Sequence, residues 1–63
     1  MTVKEFTNST IGPQLVQLEE ISNLEVIFIG KVKKLRQNKE LLEREIGFFT
    51  SFDFPNRIVI RLK

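Results

Sequence analysis

Hydrophobic and polar positions divide the chain into segments with different spacings. Residues 2–7 (TVKEFT) alternate weakly and contain β-branched side chains, which predicts a strand. The next residues, NSTIGP, are a cluster of turn formers. Leu15, Leu18 and Ile21 then recur at helical spacing behind a proline. This pattern predicts a short helix over residues 13–22.

The remaining segments predict a strand, a helix and a second strand. Residues 24–30 (LEVIFIG) form a short apolar run closed by a glycine, which is typical of a strand buried on both faces. Helical spacing of apolar residues returns at Val32 and continues to Ile46, with Gly47 as a C-terminal stop signal. Residues 57–63 (RIVIRLK) alternate apolar and polar side chains, as a half-buried strand does.

The predicted fold is therefore a small two-layer α/β domain with the element order β-α-β-α-β. Strand–helix–strand crossovers are right-handed in nearly all proteins, so both helices would cover the same face of the sheet. The apolar central strand would then present Ile27 and Ile29, or Val26 and Phe28, on the other face. An aliphatic surface of this kind favours a second copy packing against it, so we expect an oligomer.

A single long helix is the alternative interpretation. Ten positions from Leu18 to Phe49 follow each other at spacings of three and four, and eight of them are apolar, which is the pattern of a heptad seam. A helix from Pro13 to Gly47 would produce it, coiled-coil-like and followed by a C-terminal β-strand. A glycine inside that helix, at Gly30, would cost about 1 kcal/mol relative to alanine. We favour the strand interpretation of the apolar run.

Composition limits how such a fold can be stabilised. The 63 residues (1–63) are expected to form one domain, and the chain contains no cysteine and no histidine. Disulfides and thiolate zinc sites are thereby excluded, and we expect no metal and no cofactor. Self-association is the stabilising device that remains for a core of this size.

The same composition argues against catalysis and against a membrane protein. Without His, Cys or Tyr, and with no carboxylate expected to be buried, the chain lacks the usual proton-transfer and nucleophilic groups. Its glycines are isolated, so no phosphate-binding loop is predicted. We expect neither an enzyme nor a small-molecule substrate. The apolar runs are too short to cross a bilayer, and the predicted location is cytoplasmic.

Aromatic side chains are concentrated in one stretch, GFFTSFDFP. It holds four of the six phenylalanines of the chain: Phe48, Phe49, Phe52 and Phe54. Two or three of these rings are expected to close the core at the end of the long helix. The others are candidate anchors for a protein interface, because aromatic residues are typical of such anchors.

Basic side chains form a second cluster, KVKKLRQNK, which contains no acidic residue. Five bases at the start of a helix oppose the helix dipole, so phosphate contact is a candidate reason for their presence. The C-terminal strand adds further arginines. The predicted nucleic-acid-binding residues are Lys31, Lys33, Lys34, Arg36, Arg57 and Arg61.

These patterns lead to two functional hypotheses. The first is a non-catalytic, homo-oligomeric binding protein that acts as a regulator, inhibitor or adaptor. Its predicted protein-interface residues are the four phenylalanines of GFFTSFDFP, together with Ile27 and Ile29 in self-association. The alternative is a nucleic-acid-binding module that uses the basic cluster at residues 31–39 and the basic face of the C-terminal strand.

Overall fold

A four-stranded sheet with short helices makes up a small mixed α/β domain. The computed structural model describes residues 1–53 and 57–63; side chains are described for all of these except residues 51–53. The strands lie in the order β2-β1-β4-β3, with β1 and β4 as parallel neighbours at the centre and antiparallel pairs at both edges. The elements in chain order are α1 (Val3–Asn8), β1 (Leu15–Glu20), β2 (Val26–Lys31), α2 (Val32–Leu35), α3 (Lys39–Leu42), β3 (Ile46–Asp53) and β4 (Arg57–Leu62).

The α/β class is confirmed, whereas the predicted element order and the long-helix alternative are wrong. The longest helix in residues 1–53 and 57–63 is α1, with six residues. No helix in this described part is long and apolar enough to span a bilayer.

A helix, α1, stands where residues 2–7 predicted a strand. Thr2 caps it: the Glu5 backbone N–H donates to Thr2 Oγ1 at 3.2 Å, and the Thr2 backbone N–H donates to Glu5 Oε1 at 2.8 Å. The bond from the Thr2 backbone is the main cause that holds the pKa of the Glu5 carboxyl below its usual value. The buried residues Val3, Phe6 and Thr7 lie on one helical face. The capping hydrogen bonds and the helical spacing of these buried residues outweigh the weak strand-like alternation of residues 2–7.

A strand, β1, replaces the helix predicted over residues 13–22. Val16 and Leu18 are fully buried and alternate with Gln17 and Glu19, which is the period of a strand. The helical spacing of Leu15, Leu18 and Ile21 was misleading. This strand pairs with β2 across a turn and with β4 far along the chain, and the local pattern shows neither pairing. Tertiary pairing therefore decided the conformation.

The strands predicted over residues 24–30 and 57–63 are confirmed as β2 and β4. Their places in the sheet differ from the prediction: β2 is an edge strand, and β4 lies at the centre. A β-bulge in β2, opposite Leu18 and Glu19 of β1, adds one residue to the strand. The bulge changes which β2 side chains face the core, because side-chain direction alternates along a strand.

The helix predicted from Val32 to Ile46 is broken into α2 and α3. Asn38 ends the run: its side-chain Oδ1 accepts a hydrogen bond from the Leu41 backbone N–H at 3.2 Å and so caps α3. The stretch GFFTSFDFP, expected at the end of a long helix, belongs to strand β3 as far as Asp53.

The core lies on one face of the sheet. It joins the inward side chains of β1, β3 and β4 to α1 and α2, and consists of Val3, Phe6, Val16, Leu18, Val32, Leu35, Ile46, Ile60 and Leu62. Leu41 and Leu42 of α3 pack against the same cluster. The side chain of Arg36 links the helices, since its Nη2 donates to the carbonyl oxygens of Thr7 at 2.8 Å and Thr10 at 2.5 Å. The helical layer thus covers one sheet face.

Gly47 occupies a crowded position in β3, where a side chain would require its neighbours to shift. An added Cβ would lie 2.6 Å from Ile21 Cδ1 and 3.1 Å from the backbone oxygen of Arg61. We expect Gly47→Ala to lower the free energy of unfolding by roughly 1–3 kcal/mol, the usual cost of overpacking, in urea denaturation. Gly12→Ala is the matched control, because its Cβ would meet Lys33 Cβ at an ordinary 3.4 Å. Equal stability of the two variants would contradict this account of the packing around Gly47.

Candidate functional site on the uncovered sheet face

The second face of the sheet carries no helix among the described residues. Strand alternation places Gln17 and Glu19 of β1 and Val59 and Arg61 of β4 on this face, opposite the buried Val16, Leu18, Ile60 and Leu62. Strand pairing adds side chains from both edges. The uncovered face therefore includes Leu15, Gln17, Glu19, Val26, Ile29, Lys31, Phe48, Arg57, Val59 and Arg61.

A chain of hydrogen bonds crosses the middle of the uncovered face. Arg57 Nη1 donates to Gln17 Oε1 at 3.0 Å, and Gln17 Nε2 donates to Glu19 Oε2 at 2.6 Å. Arg61 Nε donates to the other carboxylate oxygen, Glu19 Oε1, at 2.9 Å. Each oxygen of Glu19 thus accepts one hydrogen bond within the chain. Because each side chain of this strip has a hydrogen-bond partner within the chain, the strip can be covered by another molecule at a smaller desolvation cost than isolated charges.

Glu19 corrects the expectation that the chain has no buried carboxylate. Its side chain is only 11% exposed, and the Arg61 side chain that pairs with it is 29% exposed. The expectation failed because Glu19 was assigned to the solvent side of a helix. In the strand it lies between Gln17 and Arg61, on the sheet itself.

Apolar side chains lie on both sides of the hydrogen-bonded strip. On the β2 side, Ile29 is 57% exposed and Val26 is 43% exposed; on the β3 side, Phe48 is 46% exposed. The guanidinium carbon of Arg61 lies 5.8 Å from the centroid of the Phe48 ring, within the range of a cation–π contact. The uncovered face thus has a hydrogen-bonded polar centre and exposed apolar flanks, which is the composition of an interaction surface.

The structure separates the two isoleucines predicted for self-association. Ile29 lies on the uncovered face, paired with Gln17. Ile27 is half-buried and packs against the core, because the bulge adds a residue before Phe28 and turns Ile27 away from the position that strict alternation would give. Val26, which was considered only as an alternative to Ile27, lies beside Glu19 on the uncovered face instead.

The four predicted phenylalanines are also divided. Phe48 belongs to the uncovered face, whereas Phe49 pairs with Ile60 and its ring centroid lies 5.7 Å from that of Phe6, on the core side. Phe49 is nevertheless 45% exposed. The backbone of Phe52 lies opposite Ile58 in β3, but its side chain and the whole of Phe54 are outside the described residues.

The predicted nucleic-acid-binding residues do not form one surface. Arg57 and Arg61 lie on the uncovered face and are bonded to Gln17 and Glu19, and Lys31 lies on the same face at the end of β2, where it pairs with Leu15. The other bases of the cluster lie in or after α2, in the helical layer. Arg36 is bonded to the carbonyl groups of Thr7, in the last turn of α1, and Thr10, which follows α1. The remaining bases of the cluster are exposed and have no ion-pair partner among the described residues: Lys31, Lys33, Lys34 and Lys39.

Two shallow hollows lie on the helical side, and Lys39 borders both of them. The first, of about 510 Å³, is lined by Phe28, Lys34, Gln37, Asn38, Lys39 and Glu40. The second, of about 330 Å³, is lined by Lys4, Arg36, Lys39, Leu42 and Glu43. Asn38 Oδ1 is used to cap α3, so the remaining polar group of that side chain is a donor. The hollows are therefore bordered mainly by hydrogen-bond donors and positive charge. Within residues 1–53 and 57–63, no group of three His, Cys, Asp or Glu side chains could hold a metal ion.

Sequence reasoning missed Gln17, Glu19 and Val59 as members of the candidate site and named Val26 only as an alternative. The signal that could have found them is the alternation of apolar Val16 and Leu18 with polar Gln17 and Glu19, matched by the alternation of β4. Two strands with the same alternation, placed side by side, put their polar positions on one face.

We expect the hydrogen bond from Arg61 to offset the free-energy cost of burying the Glu19 carboxylate. Arg61→Met keeps most of the apolar stem but removes the donor, which leaves Glu19 Oε1 without its hydrogen bond. The expected loss in the free energy of unfolding is roughly 1–3 kcal/mol by urea denaturation, the cost of an unsatisfied buried acceptor. Arg57→Met is the control: it frees only the neutral Gln17 oxygen, and its expected cost is about 0.5–1.5 kcal/mol. A larger loss for Arg57→Met than for Arg61→Met would contradict the assignment.

We found no family model, no curated protein and no solved structure that matches the chain. The surfaces of this chain are therefore the only basis for a proposed function.

Proposed function

We propose that this chain is a small non-catalytic binding protein that works as a homo-oligomer and acts as a regulator, inhibitor or adaptor through contacts with another protein. The observation that carries the proposal is the uncovered face, where Ile29, Val26 and Phe48 are each more than two-fifths exposed around a polar strip whose side chains are hydrogen-bonded to one another. Large side chains of this kind on one face favour a protein partner.

A second copy of the chain is the first occupant of this face that we propose. The described core lies entirely on the other side of the sheet, and a chain of 63 residues without cysteine gains little stability from one small core.

Another protein would then meet the surfaces that self-association leaves open. Phe49 is the candidate anchor there, because its ring is nearly half exposed beside Phe6, on the edge of the helical side. An exposed aromatic ring held in place by a second ring is suited to fill a partner pocket with little loss of side-chain freedom.

Ile29→Lys tests self-association. The substitution places a charge at the most exposed apolar position of the uncovered face, so it should shift the chain to monomer at micromolar concentration, measured by light scattering or sedimentation. Ile11→Lys is the matched control, since Ile11 is 70% exposed but follows α1 in a turn region outside this face. The control should keep the wild-type mass. A folded wild-type chain that stays monomeric at high micromolar concentration would refute the proposal.

Nucleic-acid binding is the second candidate function, and the two hollows favour it. Lys34 and Lys39 are unpaired among the described residues, and Lys39 lines both hollows, so a ligand with repeated phosphates could contact the two in succession. The half-buried ring of Phe28 borders the first hollow, and bases stack on aromatic side chains in single-strand binders.

The double variant Lys34→Gln/Lys39→Gln tests the second function. If these lysines contact phosphates, the slope of log affinity against log salt for a labelled single-stranded oligonucleotide should become shallower by about 1.4, or about 0.7 for each contact. Fluorescence anisotropy over a salt series measures this slope. Lys31→Gln/Lys63→Gln removes the same charge away from the hollows and should leave the slope unchanged. Equal changes in both variants, or no binding by the wild type, would exclude a specific site.

A further inference from the structure

The central row of the uncovered face has a self-complementary order. Strand pairing aligns Val26 with Glu19, Glu19 with Arg61, and Arg61 with Phe48, so one row crosses β2, β1, β4 and β3. Its members are, in order, apolar, acidic, basic and apolar. Reversing the row exchanges the two apolar residues with each other and the acid with the base. A surface with this order can therefore pair with its own copy.

We propose that two copies pack these faces together around a two-fold axis that runs parallel to the strands, between β1 and β4, and crosses the central row. The proposal rests on the proposed self-association and adds its geometry and specificity. Rotation about this axis lays β2 of one copy over β3 of the other and β1 over β4. Val26 then faces Phe48 of the partner subunit, and Glu19 faces Arg61 of the partner subunit.

The charged pair at the axis supports this arrangement. Within one chain Arg61 donates to Glu19 through Nε alone, and no hydrogen bond recorded among the described residues uses its two Nη atoms. These donors are available to the Glu19 carboxylate of the partner subunit. Two carboxylates and two guanidiniums would meet at the axis with no net charge. Such alternation lets each charge keep an opposite neighbour when water is removed.

The rest of the face is compatible with the same rotation. Gln17 pairs with Val59 in the sheet. The rotation therefore places Gln17 over Val59 of the partner subunit, and Val59 over Gln17 of the partner subunit. Leu15 and Arg57 lie toward one end of the central strands, where the charge of Arg57 can stay near water. Packed sheets usually cross at about 30°. This angle moves residues far from the axis out of alignment with their partners, whereas Glu19 and Arg61, near the axis, stay aligned.

Charge exchange between two variants tests the central pair. Glu19→Arg and Arg61→Glu each place like charges within the chain and across the proposed interface, so each variant alone should dimerise at least about tenfold more weakly than the wild type. In an equimolar mixture, position 19 of one variant faces position 61 of the other with opposite charge. Sedimentation should then show a heterodimer, although each chain still carries its internal like-charge pair.

Cross-linking provides a test that leaves the buried pair intact. The chain has no native cysteine, so Val26→Cys and Phe48→Cys each introduce a single thiol. Within one chain the two positions are about 14 Å apart, three strand spacings, whereas facing sheets lie about 10 Å apart. A short bifunctional maleimide should therefore link a mixture of the two variants into dimers in several-fold higher yield than either variant alone. Ile11→Cys mixed with Phe48→Cys is the control and should show only background yield.

The outcomes separate this inference from the proposed function. A monomeric wild-type chain refutes both. A wild-type dimer with equal cross-linking yields in all mixtures, and with no heterodimer from the charge variants, refutes the two-fold arrangement and leaves self-association standing. If the charge variants fail to fold by circular dichroism, the cross-linking yields alone decide: a higher yield in the Val26→Cys and Phe48→Cys mixture supports the arrangement, and equal yields overturn it.

Discussion

The parallel pairing of β1 with β4 is the interaction on which the other features of this protein depend. It joins segments more than 35 residues apart and aligns Val16 with Ile58, Leu18 with Ile60, and Glu19 with Arg61. The apolar rows of this pair form the floor of the core beneath α1 and α2. The intervening rows form the hydrogen-bonded strip of the uncovered face. One pairing register thus sets both the buried side of the domain and the surface that we propose for binding.

How far the fold could be predicted depended on whether local pattern and long-range pairing agreed. In β4 the clean alternation and the pairing agree, and the strand was found with nearly correct bounds. In β1 they conflict, because Leu15, Leu18 and Ile21 mimic a helical stripe while Val16 and Leu18 are the pair that the sheet buries. For α1 the sequence did contain the local signal, a threonine followed three residues later by a glutamate, but the weak alternation was preferred.

The candidate site was predictable only in part for the same reason. Ile29 was expected on the bare face and lies there, whereas the bulge that directs Ile27 toward the core depends on pairing with β1 and leaves no mark in a single sequence. Glu19 was interpreted as a solvated helix residue because charged side chains usually are. Its burial depends on Arg61, which lies 42 positions further along the chain. The basic residues that seemed to form one set are divided between the two sides of the sheet.

The central claim is that a second copy of the chain packs against the uncovered face in solution. Backbone amide chemical shifts, followed by NMR on serial dilution of the wild-type chain, test it most directly because each residue reports its own surroundings. We predict that dilution moves the amide signals of Gln17, Glu19, Val59 and Arg61, while those of Val32 and Leu35, in the helical layer, stay in place. Shifts confined to the helical layer, or unchanged signals from high to low micromolar concentration, would contradict the claim.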